Sequence, residues 1–227
     1  MTRVHDMGGR FGDGPVVPEP QGIPEFEEGW HSRALALTLA SGALGQWNID
    51  ISRHARECLA PKDYARFSYY EKWLAGLADL LVVKGILSTD ELAAGQSNGA
   101  SSELVDRKLK AADVGAVLQK GAPASRESEI SVLFEVGQSV KTCHPAANRL
   151  IDGGHTRLPA YASGAQGRIL RCHGAHVLPD SSAHGLGDAA EPLYAVAFPA
   201  SELWAEAEHP RDEVVVDMWQ SYLEPLS

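Results

Sequence analysis

The chain has 227 residues, 30 acidic and 20 basic, a formal net charge of −10, and 44% hydrophobic but only 7% aromatic residues. That size and apolar fraction suit one large domain or two small ones with an ordinary packed core, and speak against disorder. The acidity disfavours a broad surface for nucleic acid or an anionic membrane, which needs clustered cations to release counterions, so any prominent cation is expected to have a local task.

Cys58, Cys143 and Cys172 are odd in number and far apart, with no Cys-x-x-Cys pair, so neither a disulfide framework nor a zinc site is indicated. The opening "MTRVHDMGGRFGDGP" has no apolar signal core, and no stretch approaches the roughly 18 apolar residues of a membrane span. A soluble, cytoplasmic protein is the expectation.

Residues 1–25, rich in Gly and Pro, offer no periodic apolar face and read as an extended arm, either frayed or ordered on a partner's surface. A helical domain is expected over 26–95. Its helices fall near 30–43 and 50–59, the second after a cap at Asp50, and at "YEKWLAGLADLL". There Tyr70, Trp73, Leu74, Leu77, Leu80 and Leu81 recur at i, i+3, i+4, i+7, i+10 and i+11, one apolar stripe. Gly85 stands where a helix-terminating glycine belongs, and Ser88 followed by Glu91 reads as a capping box opening a short helix. Residues 96–130 turn small and polar, a linker with one helix near 103–119. Over 131–227 the period changes to two: "LFEVGQSVKTC", "GRILRCH", "LYAVAF" and "EVVVDMW" are strand candidates, expected to close into a small barrel.

No Gly-x-Ser-x-Gly elbow, phosphate loop or dinucleotide fingerprint stands at a strand-to-helix turn. His173 and His176 in "HGAH" lack a third ligand at a recognised spacing and read as surface or turn histidines. Asp180, Ser181, Ser182, His184 and Asp188 crowd one Gly-rich loop; triad members converge from separate elements, so hydrogen-bonded turn chemistry is the better reading. Tyr69 and Trp73, four apart on their helix, share a face that either packs a core or lines a pocket. Arg53 taken alone is a solvated helix arginine. Arg157, in "GGHTRLPAYASGAQGRI" beside His155 and Tyr161, is held among Gly and Pro, where a structural ion pair and a contact to a partner are both open.

The blocks "VHDMGGRFGDGPV", "FSYYEKWLAGLADLLVVKGIL", "GHTRLPAYASGAQGRIL", "HGAHVLPDSSAHGLGD", "LYAVAFPASELW" and "VVVDMWQSYLEP" resemble, in this order, the beta subunit of nitrile hydratase. The likeness runs from about Val4 to the C-terminus, with the linker poorly matched. It implies a hydro-lyase that converts a nitrile to an amide and is active only with its alpha subunit. In that family the alpha subunit holds Co(III) or Fe(III) in a Cys-x-x-Cys-Ser-Cys claw with two oxidised cysteines. This chain has no claw, and no metal ligand is assigned to it. "HGAHVLPDSSAHGLG" resembles the cobalt branch, with iron as the alternative.

By the same resemblance, Arg53 and Arg157 reach the oxidised cysteine oxygens, and Ile49, Tyr69 and Trp73 line the nitrile pocket. The metal acts as Lewis acid on the nitrile nitrogen, and either water or the sulfenate oxygen attacks carbon. Lys72, Ser52 and Thr38 depart from the family pattern in ways that enlarge or polarise the pocket, and no glycine follows Trp204 in "ELWAEA". The implied fold class is α+β: a helical N-terminal domain with an extended N-terminal arm, followed by a C-terminal SH3-like β-barrel. The implied assembly is an alpha–beta heterodimer paired into a heterotetramer. Rival readings are a thiocyanate hydrolase subunit, an assembly or activator protein, and a free-standing SH3-like adaptor.

Overall fold

The computed structural model describes His5 and residues 17–18, 20–22, 24–99 and 103–226, so most of the arm expected over 1–25 lies outside the described residues. Tertiary contacts divide the chain into a helical unit ending at Ala122 and a sheet-bearing unit from Pro123 onward.

The helical unit contains α1 (Gly29–Gly42), α2 (Ile49–Glu57), α3 (Pro61–Arg66), α4 (Tyr69–Val83) and α5 (Thr89–Ala94). The apolar stripe of α4 packs on α1 and α2 and buries Leu77 and Leu80, with Ala34 of α1 equally hidden. Gly85 adopts φ +66°, where a side chain would be strained, and the amides of Ile86 and Leu87 donate back to the Leu81 carbonyl at 2.9 and 3.1 Å. The expected capping box is present: Glu91 N–H donates to Ser88 Oγ at 3.1 Å, and Ser88 N–H to Glu91 Oε2 at 2.9 Å. Two local readings are corrected. The cap of α2 is Asn48, whose side chain accepts from Ile51 N–H at 2.9 Å, while Asp50 sits in the first turn. Near 103–119 there is no single helix: 3-10 turns at Val105–Arg107 and Ala111–Asp113 precede α6 (Val114–Lys120). Val105, Val117 and Leu118 stay exposed, so no buried face sustains a longer helix.

The sheet unit holds β1 (Ser139–Thr142), β2 (Gln166–His176), α7 (Pro179–Ser182), β3 (Glu191–Pro199), α8 (Ala200–Leu203), β4 (Glu213–Trp219) and β5 (Leu223–Pro225). The antiparallel ladder runs β4-β3-β2-β1-β5, and among the described residues no pairing joins β4 to β5. A 3-10 turn at Gln220–Tyr222 links these two edges in the chain. β3 pairs with β4 in unbroken register from Leu193↔Trp219 to Pro199↔Glu213 and is buried along Glu191–Phe198, so both of its faces are covered. Its side chains meet Val140, Ile169, Met218 and Tyr222 in the core. Gly167 of β2 lets the backbone close on that core: a Cβ there would stand 2.7 Å from Val196 Cγ1 and 2.8 Å from the Phe198 ring.

Of "LFEVGQSVKTC", only Ser139–Thr142 is strand. The segment before it is held by side chains instead. Tyr194 Oη accepts from Leu133 N–H at 3.2 Å and donates to Gln220 Oε1 at 2.7 Å, and Gln220 Nε2 donates to the Ser131 carbonyl at 3.1 Å.

Candidate functional site

The helical unit supplies four of the five expected site residues, all from α2 and α4. Ile49 opens α2 and is 62% exposed. One turn later Arg53 donates to Asp50 Oδ1 at 3.0 Å; Asp50 is buried, so the guanidinium is anchored through one nitrogen while its other N–H groups meet no acceptor among the described residues. On α4, Tyr69 is 64% exposed and Trp73 half-buried, with ring centroids 5.5 Å apart. Tyr70 stands behind them, 5.2 Å from Tyr69, and His31 of α1 lies 4.9 Å from Tyr70. Glu71 starts the helix by accepting from Ser68 N–H at 2.7 Å, a bond that holds its carboxyl below the usual range.

The close approach of α2 and α4 depends on Gly76. A Cβ there would fall 2.7 Å from Arg56 Cγ and 3.3 Å from Arg56 N, so only glycine admits the neighbouring helix at this distance. Arg56 then lies over Trp73, its guanidinium carbon 4.8 Å from the ring centre. Of the positions expected to alter the pocket, Lys72 places its ammonium 4.5 Å from the Tyr64 ring centre, and Thr38 donates to the Ala34 carbonyl at 2.9 Å within α1. Ser52 is half-buried on α2, and nothing in the structure explains its identity.

Arg157 lies in the sheet unit on a loop whose base is fixed by buried polar groups. Asn148 donates to the carbonyls of His155 and Asp180, at 2.6 and 2.9 Å, and accepts from the amides of Leu150 and Ile151, at 2.7 and 2.9 Å. His155 N–H donates to His184 Nε2 at 3.0 Å, and Arg157 N–H to Tyr222 Oη at 3.1 Å. The Tyr222 hydroxyl in turn donates to the Asp180 carboxylate in a short hydrogen bond. Burial drives the Tyr222 phenol far above its usual range, with the Asp180 charge acting in the same direction. Burial also raises the Asp180 carboxyl, against the bonds from Tyr222 and Thr156 that lower it. Gly154 admits the packing, since a Cβ would stand 2.7 Å from His184 Nε2 and 2.8 Å from Asn148 Nδ2. His155 and Leu158 are buried while Arg157 is exposed, and among the described residues its side chain makes no ion pair or hydrogen bond.

The polar loop is turn chemistry, as its composition indicated. Ser181 donates to the Gly187 carbonyl at 2.9 Å, His184 accepts from His155 N–H, and Asp188 pairs with Arg126 at 2.6 Å. His173 faces Asp217 across 3.0 Å, and His176 bonds the Gly174 carbonyl. The pattern Gly95-Gln96-Ser97-Asn98-Gly99 follows α5 rather than a strand, and Ser97 Oγ accepts from Gly99 N–H at 3.1 Å, a turn and not an elbow. Sequence reasoning missed Arg56, Gly76, Asn148 and the role of Tyr222. Gly76, alone among helix formers, was the one visible signal, because a mid-helix glycine usually marks close packing.

The helical unit thus presents an aromatic face with Arg53 beside it on the neighbouring helix, and the sheet unit presents Arg157 on a loop whose backbone is fixed by hydrogen bonds. Comparison with known proteins gives the family. The profile of "Nitrile hydratase beta subunit, N-terminal" matches residues 1–123, and that of "Nitrile hydratase beta subunit, C-terminal" matches residues 123–225. The nitrile hydratase subunit beta of Pseudomonas putida is 36% identical over 227 residues, 99% of this chain and 100% of that protein. The low-molecular weight cobalt-containing nitrile hydratase subunit beta of Rhodococcus rhodochrous is 32% identical, with 99% and 100% covered. The cobalt-containing nitrile hydratase subunit beta of Pseudonocardia thermophila is 31% identical, with 99% and 96% covered. A chain of apo thiocyanate hydrolase from Thiobacillus thioparus aligns at a TM-score of 0.37 and 25% identity over 45% of this chain and 80% of its own, too slight a likeness to bear on the fold. The chain belongs to the nitrile hydratase beta-subunit family. Its activity is that of a hydro-lyase, exercised as one subunit of a heteromeric enzyme that hydrates nitriles to amides.

Proposed function

We propose that the chain completes its active site on an alpha subunit that carries the metal, and that Arg53 and Arg157 grip the oxidised cysteine oxygens of that partner. The observation that carries this reading is Arg157: an exposed guanidinium without an ion pair among the described residues, on a loop whose backbone is pinned by Asn148, His184 and Tyr222. A guanidinium presents a planar fork of donors that fits anionic sulfur oxygens, and an immobile base spares it the ordering cost on binding. Arg53, tied at one nitrogen to Asp50, offers the second fork.

Cys58 closes α2, Cys143 follows β1 and Cys172 lies in β2, and none of the three is in a disulfide. Cobalt, named for two of the relatives, is the metal we assign to the partner, with iron as the alternative. When bound there it supplies Lewis acidity toward the nitrile nitrogen. This chain's part is to bind and orient. Ile49, Tyr69 and Trp73 form the apolar wall on which a small nitrile loses its water and is aligned, and the arginines hold the anionic oxygens in the direction catalysis requires.

The five-stranded meander whose last strand pairs with its first, with the turn Gln220–Tyr222 spanning the two edges, supports an SH3-like barrel. Residues 1–25 serve as an arm along the alpha subunit, 26–95 as the helical domain, 96–130 as a linker and 131–227 as the barrel, in a cytoplasmic heterotetramer of two alpha–beta pairs. No helix among the described residues is long and apolar enough to cross a membrane. The thiocyanate and activator readings are disfavoured by relatives that span both halves in one chain.

The test is amide formation from a small nitrile by this chain alone and after co-expression with a claw-bearing alpha subunit in cobalt- or iron-supplemented medium. Activity only in the complex, and with one metal, is the expected outcome. A stable, metal-loaded complex inactive on a range of nitriles would overturn the reading.

A further inference from the structure

Arg56 belongs neither to the arginine pair nor to the aromatic wall assigned above, yet it is the cation set directly against that wall. Its guanidinium carbon lies 4.8 Å from the centre of the Trp73 ring. Tyr69 favours its charge, as Glu57 and Tyr64 also do, while Arg53 opposes it, and its stem is pressed against α4 at Gly76. The residue is half-buried, and desolvation is the main cause that weakens its hold on its proton. Among the described residues no carboxylate pairs with it. Asp50 is taken by Arg53 at 3.0 Å, and Glu57, next in the chain, faces His54 at 3.4 Å. Lys72, over Tyr64 at 4.5 Å, adds a second cation on α4.

A partly desolvated cation with no carboxylate in ion-pair contact is costly, and an anion brought beside it relieves that cost. A guanidinium stacked on an indole face still has its N–H edges free for a carboxylate, which it engages with two parallel bonds. We propose that Arg56 is a specificity-determining residue that receives the carboxylate of a cyano-carboxylic acid, so that the preferred substrates are short nitriles with an anionic group at the far end. This rests on the assignment of Tyr69 and Trp73 to the nitrile pocket.

The experiment compares kcat/KM of the metal-loaded complex for 3-cyanopropanoate and for butyronitrile, a neutral chain of similar length. The wild-type complex favours the cyano acid. In Arg56→Gln the ratio of the two values falls by about 10- to 100-fold, the range of a charge-assisted hydrogen bond, and the loss lies mainly in KM because the contact is remote from the nitrile. Arg56→Lys keeps the charge but not the fork and lowers the ratio by less. Should Arg56→Gln fail to assemble, butanoate serves as the probe: it inhibits butyronitrile hydration by the wild-type complex competitively, and less so at high salt. Hydration of butyronitrile with no preference for the cyano acid, an unchanged ratio in Arg56→Gln, or absence of inhibition by butanoate each overturns the proposal alone. Failure of the wild-type complex to hydrate either nitrile overturns the pocket assignment beneath it.

Discussion

Tyr222→Phe removes one oxygen from the point on which the Arg157 loop turns. That oxygen donates to Asp180 and accepts from Arg157 N–H at 3.1 Å and from Thr156 Oγ1 at 3.3 Å. Asp180 is only 4% exposed, so its carboxylate cannot exchange the lost donor for bulk water. Leaving a buried polar group without its partner costs about 1–3 kcal/mol, more when it is charged, and the freed Arg157 amide adds a further contribution. The variant should therefore lose about 2–5 kcal/mol of stability, far beyond the ~1 kcal/mol typical of a point substitution. Denaturation of the co-expressed complex followed by tryptophan fluorescence reads the loss, and amide formation reads the loosened Arg157. A cycle with Asp180→Asn isolates the pair: Tyr222→Phe should cost at least about 1 kcal/mol less in that background. A Tyr222→Phe complex with wild-type stability and turnover would refute the reasoning.

The same phenol carries a pH signature. Its folded value is raised above the unfolded value of about 10, so its stabilisation is intact below about pH 10 and drains away as pH rises further; alkaline denaturation profiles should flatten on that limb in Tyr222→Phe. Glu71 has the opposite sign. Its folded value is depressed by the Ser68 amide, so the benefit is present above about pH 4.3 and lost as pH falls through the depressed value; Glu71→Gln should remove that part of the acid limb of an equilibrium unfolding series. Gly76→Ala gains helix propensity but forces a methyl to 2.7 Å from Arg56 Cγ and 3.3 Å from its backbone nitrogen. A net loss of about 1–2 kcal/mol and a lower kcat/KM are expected, and a stabilised, fully active variant would show that α2 moves aside freely.

Where sequence and structure agree, the governing chemistry is local. The stripe from Tyr70 to Leu81, the glycine after α4 and the Ser88–Glu91 box each depend on residues within a few positions, and each appears where periodicity and capping put it. The expected helix near 103–119 failed for a non-local reason, since Val105, Val117 and Leu118 found nothing to pack against. "LYAVAF" marked a strand, but not that both faces are buried, which depends on what other segments bring to it. The base of the Arg157 loop was illegible for the same reason: the bonds Asn148–Asp180, Asp180–Tyr222 and Arg157–Tyr222 span 32, 42 and 65 residues of chain, and no spacing rule reaches that far. The likeness of "GHTR" to the family marked Arg157 itself; only the structure shows why the arginine is held in place.

The most direct test of the account is the turnover of the metal-loaded, assembled complex carrying Arg157→Lys, with metal content and subunit ratio verified. An ammonium keeps the charge but cannot reproduce the fork. The account predicts a fall in kcat on the order of 100-fold, as for loss of one oriented donor at a reacting centre, with assembly intact. Wild-type kcat in that complex would contradict the assignment of Arg157 to the partner's oxidised cysteine oxygens.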